Sequence, residues 1–107
     1  MQTILQIDFP HTGPFGPDLS KAAAEAAEDI AGEPGLRWKI WTENADTGEA
    51  GDIYLFDDEK SAEAFRAKQT ARLTAQGMTD IRAKLFSVNL PLTEITRGPV
   101  KEALATE

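Results

Sequence analysis

The sequence predicts an α+β fold: a four-stranded antiparallel sheet with two helices on one face. Three observations carry that reading. Four short segments alternate along the chain with period two. Two longer segments repeat apolar residues at helical spacing. Clusters of proline and glycine separate them.

The first strand is Thr3 to Phe9, with Leu5, Ile7 and Phe9 on one face and Ile4, Gln6 and Asp8 on the other. Pro10 ends it, and the prolines and glycines from Pro10 to Pro17 exclude regular structure there. A helix is expected from Pro17 or Asp18 to Ile30, since proline suits the first turn and Asp18 complements the helix dipole. Leu19, Ala22, Ala23, Ala26, Ala27 and Ile30 form its apolar stripe, whose alanines predict a close approach to whatever it covers. Gly32 and Glu33-Pro34-Gly35 turn the chain into a second strand, Leu36 to Glu43. Strict alternation there puts Leu36, Trp38 and Ile40 toward the core and Arg37, Lys39, Trp41 and Glu43 opposite.

Asn44 to Glu49 has the composition of a hairpin loop. The third strand, Gly51 to Phe56, sets Ile53 and Leu55 against Asp52, Tyr54 and Phe56. Asp57 or Asp58 caps a second helix that runs to about Gln76, before Gly77. Its stripe is Ala62, Phe65, Gln69 and Leu73, interrupted by the amide of Gln69. The last strand, Asp80 to Val88, alternates Ile81, Ala83 and Leu85 with Arg82, Lys84, Phe86 and Val88. From Asn89 onward, prolines and the sparse apolar residues Leu92, Ile95, Val100 and Leu104 predict a short helical tail on a surface, frayed at its end. The order β-α-β-β-α-β is the ferredoxin-like arrangement, read here as a single domain over residues 1–107 with residues 90–107 as its tail.

Composition narrows the chemistry. Eighteen acidic against eleven basic residues leave a net charge of −7, which disfavours nucleic acid and anionic membrane surfaces as partners. With no cysteine, disulfides, thiolate metal sites and cysteine nucleophiles are excluded. The single histidine, His11, precludes a two-histidine metal site within one chain, so no metal is expected. The N-terminus lacks the basic and apolar regions of a signal peptide, and no apolar stretch approaches the roughly 20 residues that span a bilayer. A soluble, cytoplasmic protein is expected.

The face away from the helices is expected to carry Gln6, Asp8, Lys39, Trp41, Tyr54, Phe56, Lys84 and Phe86. Four of the chain's eight aromatic residues (two Trp, one Tyr, five Phe) fall in that set, and one chain has nothing left to cover them. An uncovered apolar face marks an interface or a ligand site, so a homodimer stacked sheet to sheet is expected.

Gly13-Pro14-Phe15-Gly16, Glu33-Pro34-Gly35, Trp38-Lys39-Ile40-Trp41-Thr42-Glu43, Ile53-Tyr54-Leu55-Phe56, Asp58-Glu59-Lys60-Ser61-Ala62 and Thr70-Ala71-Arg72-Leu73 occur in that order. Together they closely resemble the YdhR-like family of putative monooxygenases, within the dimeric α+β barrel superfamily, over about Thr3 to Ile95. The resemblance implies a homodimer with facing sheets and a pocket between sheet and helices or at the interface. It also implies likeness to cofactor-independent monooxygenases, in which a deprotonated phenol or anthrone reduces dioxygen directly. Such a site needs an apolar slot, a base and donors for the substrate anion.

The catalytic candidates are Asp8, Tyr54, Lys39 and Lys84, and the substrate-binding candidates Trp41, Tyr54, Phe56 and Phe86. Trp41 either walls a planar substrate or packs on a partner sheet, and Tyr54 either holds a substrate oxygen or bonds to backbone or water. Lys39 and Lys84 either stabilise an anion or pair with Asp8 or Glu43. Asp8 is either the base or the lysines' partner. His11 reads as a solvated loop residue, Asn89 as closing a turn and Trp38 as core. The functional expectation is a monooxygenase acting on a small, partly aromatic molecule. Its rivals are a non-catalytic binding or sensing dimer and a purely structural dimer. A haem-degrading variant lacks a histidine suitably placed on a strand or helix.

Overall fold

The computed structural model describes residues 1–100. Its elements are β1 (Thr3–Pro10), α1 (Gly16–Ala31), β2 (Leu36–Asn44), β3 (Glu49–Phe56), α2 (Glu59–Ala75), β4 (Arg82–Ser87) and α3 (Leu90–Ile95). The strands form one antiparallel sheet in the order β2-β3-β1-β4, the ferredoxin-like arrangement expected from the sequence. Leu104 and the fraying expected of the chain end lie outside the described residues.

On the inner strand β1 the alternation holds as read. Leu5, Ile7 and Phe9 are buried under the helices, while Gln6 and Asp8 face the other way. The edge strand β4 follows it, because Leu5 stands opposite Leu85 and Ile7 opposite Ala83, and opposed residues share a face.

β2 and β3 are placed the other way round from the sequence reading. Tyr54 lies opposite Leu5 and Asp52 opposite Ile7, so Tyr54, Phe56 and Asp52 face the helices while Ile53 and Leu55 face away. Lys39 and Trp41 lie opposite Tyr54 and Asp52, which puts them on the helix side too. The cause in β2 is an irregularity in register: Leu36 pairs with Phe56, but Trp38 pairs with Leu55. Arg37 is the extra residue of this bulge, and one extra residue exchanges the faces of everything after it. In β3 both faces are apolar, so alternation alone carries no direction there.

The helix-side core joins Leu5, Ile7, Phe9, Tyr54 and Phe56 to Ala62, Phe65 and Leu73 of α2 and Ile30 of α1. The Phe65 ring meets Tyr54 at 5.0 Å and Phe56 at 5.6 Å between centroids. α2 begins at Asp58, whose carboxylate accepts the Ser61 N–H at 2.7 Å. Gly35 makes room for this turn. Its φ is +79°, and a Cβ there would lie 2.6 Å from Ser61 Oγ.

α1 behaves differently from its expectation. Only Ile30 of its stripe is buried, while Leu19, Ala23 and Ala27 are half-buried and Ala22 and Ala26 exposed. The small side chains leave open space between α1 and the sheet instead of closing on it.

Across the sheet, Leu55, Val88 and Val100 are buried together with Ile4 and Trp38 packed against them. Trp38, expected in the helix-side core, thus lies on the opposite face, where its indole N–H donates to the Pro99 carbonyl at 2.8 Å. The tail that supplies Pro99 and Val100 includes the expected short helix, α3, capped by Asn89 accepting from the Leu92 N–H at 3.2 Å. Ile40 and Phe86 remain 49 % exposed on this face.

Candidate active site

The space under α1 is a cavity of about 250 Å³. Leu19, Ala22, Ala23, Ala26 and Ile30 of α1 form its roof, and Gln69 and Leu73 of α2 one side. Its floor is the sheet, with Lys39 and Trp41 from β2 and Asp52 from β3. His11 and Pro14, from the loop between β1 and α1, stand at its rim.

Two charges occupy the floor. Lys39 Nζ lies 3.0 Å from Asp52 Oδ1, with the side chains only 5 % and 7 % exposed. The same ammonium sits 3.3 Å from the centroid of the Trp41 ring and 4.9 Å from that of Tyr54. Trp41 itself is 41 % exposed, and an ammonium over its ring is held by the ring quadrupole as well as by the carboxylate. Burial outweighs the pairing for both groups. It pushes the Lys39 pKa below its ordinary value and the Asp52 carboxyl above its own, each opposed by the partner's charge and hydrogen bond. The Tyr54 hydroxyl is buried and meets no partner in hydrogen-bond geometry among the described residues. Burial first, and then the nearby Asp52 charge, hold it well above the ordinary phenol range.

The candidates read from the sequence separate into two groups. Lys39, Trp41 and Tyr54 come together on the helix side, with the Phe56 ring 6.1 Å from that of Tyr54 in the core behind them. Asp8, Lys84 and Phe86 lie on the opposite face. Asp8 pairs with Arg82, not with a lysine: Arg82 Nε donates to its carboxylate at 2.6 Å. Glu43 is taken by the start of α1, accepting the Gly16 N–H at 2.7 Å.

His11 is half-buried and not a solvated loop residue: its Nε2 donates to the Pro14 carbonyl at 2.8 Å and its ring meets Phe15 edge-on at 5.1 Å. Two site residues escaped the sequence reading. Asp52 was legible as a lone carboxylate inside an apolar strand. Gln69 was legible as the polar break in the α2 stripe, and it is buried at the cavity wall. Among the described residues no three His, Cys, Asp or Glu side chains converge as a metal site.

Fold and site together define a ferredoxin-like α+β protein with an ion-paired, aromatic-walled pocket between its helices and its sheet. A family model described as "Putative mono-oxygenase ydhR" matches residues 4–99. The chain belongs to that family. Among solved structures it is similar to one from Deinococcus radiodurans described as a putative antibiotic biosynthesis monooxygenase. That match has 12 % identity and a TM-score of 0.60, covering 81 % of this chain and 92 % of that one. A variant of SnoaB, a cofactor-independent oxygenase from Streptomyces nogalater, matches at 17 % identity and TM-score 0.60, covering 82 % and 93 %. Rv0793 from Mycobacterium tuberculosis matches at 17 % identity and TM-score 0.53, covering 96 % and 99 %. At such identities the likeness speaks to the fold alone. No curated protein matches the chain. No helix among the described residues is long and apolar enough to cross a membrane.

Proposed function

We propose that the protein is a cofactor-independent monooxygenase acting on a small, partly aromatic organic molecule held in the pocket under α1. The observation that carries this reading is the buried Lys39–Asp52 pair on the floor of an apolar cavity beside the Trp41 ring. A buried ion pair is an expensive thing to maintain for stability alone, and it supplies both an acceptor for a proton and a cation for an anion. Membership of a monooxygenase-type family supports the reaction class. A cavity of about 250 Å³ sits below the usual range for ligand pockets, roughly 300–1,000 Å³, which favours substrates of one or two rings.

The functional unit in this reading is a homodimer joined through the open sheet face, where Ile40 and Phe86 are uncovered. The deciding experiment is oxygen uptake with a panel of phenols and naphthols, with metal chelated and flavin omitted. One dioxygen consumed per quinone formed, with one of its atoms in the quinone and the other in water, is the expected result. A ligand that binds without oxygen consumption would make the protein a binding module, the reading favoured by a pair that already satisfies itself.

A further inference from the structure

Of the polar groups expected to do chemistry, Asp8 and Lys84 lie on the wrong face of the sheet for the cavity. Tyr54 cannot serve as a base near neutral pH, because its proton is held too tightly. Asp52 was not among those candidates, yet it is the carboxylate that lines the cavity together with Lys39. Resting on the monooxygenase reading, we propose that Asp52 is the general base that takes the substrate's hydroxyl proton, and that Lys39 turns from Asp52 to hold the oxyanion so formed.

The geometry suits an exchange of partners. Lys39 Nζ is already desolvated, 3.0 Å from Asp52 and 3.3 Å from the Trp41 ring centroid. A phenol in the cavity beside Trp41 brings its oxygen to the same ammonium, which itself covers the indole face. As the proton passes to Asp52 the negative charge moves from carboxylate to phenolate, so Lys39 faces one anion before and after. The net charge of the buried site does not change, which avoids a fresh desolvation cost.

The raised affinity of Asp52 for a proton fits this role, since a base works best when its pKa approaches the working pH. The other ionisable groups around it are few. Lys39 comes from β2 and Tyr54 from β3, His11 stands at the rim, Arg72 of α2 acts on Tyr54, and α1 lines the cavity with apolar side chains only.

For α-naphthol the balance is as follows. Asp52 removes the hydroxyl proton, and the electron pair left behind spreads to the ring carbon para to the oxygen. That carbon bonds to dioxygen, which is reduced by two electrons and takes the proton back from Asp52 as a hydroperoxide. Loss of the hydrogen on that carbon as a proton, together with hydroxide, breaks the O–O bond and releases water. One oxygen atom ends in the naphthoquinone and the other in water.

The test has two arms. In the first, para-nitrophenol is titrated into the protein, and its yellow phenolate band reports the ionisation state of the bound dye. Wild type is expected to bind it as the phenolate at a pH where the free dye is mostly neutral. Lys39→Met should abolish that band shift and Asp52→Asn should keep it. In the second arm, oxygen uptake with α-naphthol is expected to fall by about 100-fold or more in Asp52→Asn, the usual scale of general-base catalysis. Asp52→Glu keeps the charge and decides the matter if Asn does not fold. It should give a folded, slower enzyme that still binds the phenolate.

Dye bound in its neutral form by wild type, or undiminished uptake by Asp52→Asn, overturns the assignment. If neither wild type nor variants consume oxygen but wild type binds the phenolate through Lys39, the base assignment of Asp52 falls with the oxygenase reading. The hold of Lys39 on the oxyanion then stands by itself.

Discussion

Burial works against both charges of the Lys39–Asp52 pair, so the pair contributes to stability only through its mutual attraction. Asp52→Ala strands the ammonium and is expected to cost about 3–5 kcal/mol in a denaturant melt. Replacing both, Lys39→Met with Asp52→Leu, is expected to be neutral or stabilising by about 1–4 kcal/mol. A double variant clearly weaker than wild type would show that the charges stabilise the fold.

The pH dependence has a definite sign. The folded pKa of Asp52 is raised, so above the ordinary carboxylate value of about 4 the folded chain keeps a proton that the unfolded chain has released. Its stabilising contribution is complete below that pH and is lost as pH rises through the folded pKa. Lys39, lowered, regains stability as pH rises from its folded pKa toward about 10.4. Melts from pH 4 upward should therefore show wild type losing ground to the double variant, and parallel curves would contradict this. Trp41→Ala should weaken binding of para-nitrophenol about tenfold, or about 1.4 kcal/mol, and unchanged affinity would remove the indole from the site.

Among the elements, α1 decides whether there is a pocket at all. Ala26 lines the cavity, and Ala26→Leu adds the apolar volume that the stripe lacks. It should raise stability by about 0.5–2 kcal/mol, as cavity filling commonly does, while abolishing dye binding. Binding that survives would place the ligand elsewhere.

The strands show where sequence was a sufficient guide and where it was not. β1 and β4 were legible because Gln6, Asp8, Arg82 and Lys84 mark one face as polar. β3 was not, because Ile53 and Leu55 are as apolar as Tyr54 and Phe56. β2 was misread because no pattern of side chains announces a bulge at Arg37, and that bulge carries Trp41 and Lys39 to the helix side. Thus the fold class, element order and most boundaries could be read. The site could be read only as a set of residue types, since its assembly depended on one extra residue in an edge strand.

At the scale of the whole molecule, the sheet has two different coverings. Helices cover one face, leaving the cavity under α1, and the other is partly strapped by the segment from Val88 to Val100. The remaining apolar residues give the dimer proposal its test. Wild type should sediment as a dimer, and Ile40→Asp combined with Phe86→Asp should sediment as a monomer. A dimer that persists with both charges in place would put the contact on another surface.

Strand alternation sets the chain's two indoles, three residues apart in sequence, against opposite faces of the sheet, and the bulge at Arg37 decides which of them faces the helices. Trp41 shares its environment with a cation and the cavity, whereas Trp38 is tied to the tail through Pro99. The protein thus carries two indole fluorophores with separate audiences. With Trp38→Phe the remaining emission would follow events under α1, and with Trp41→Phe it would follow the tail and any chain docking beside it. Ligand entry and self-association could then be timed independently in one unlabelled molecule.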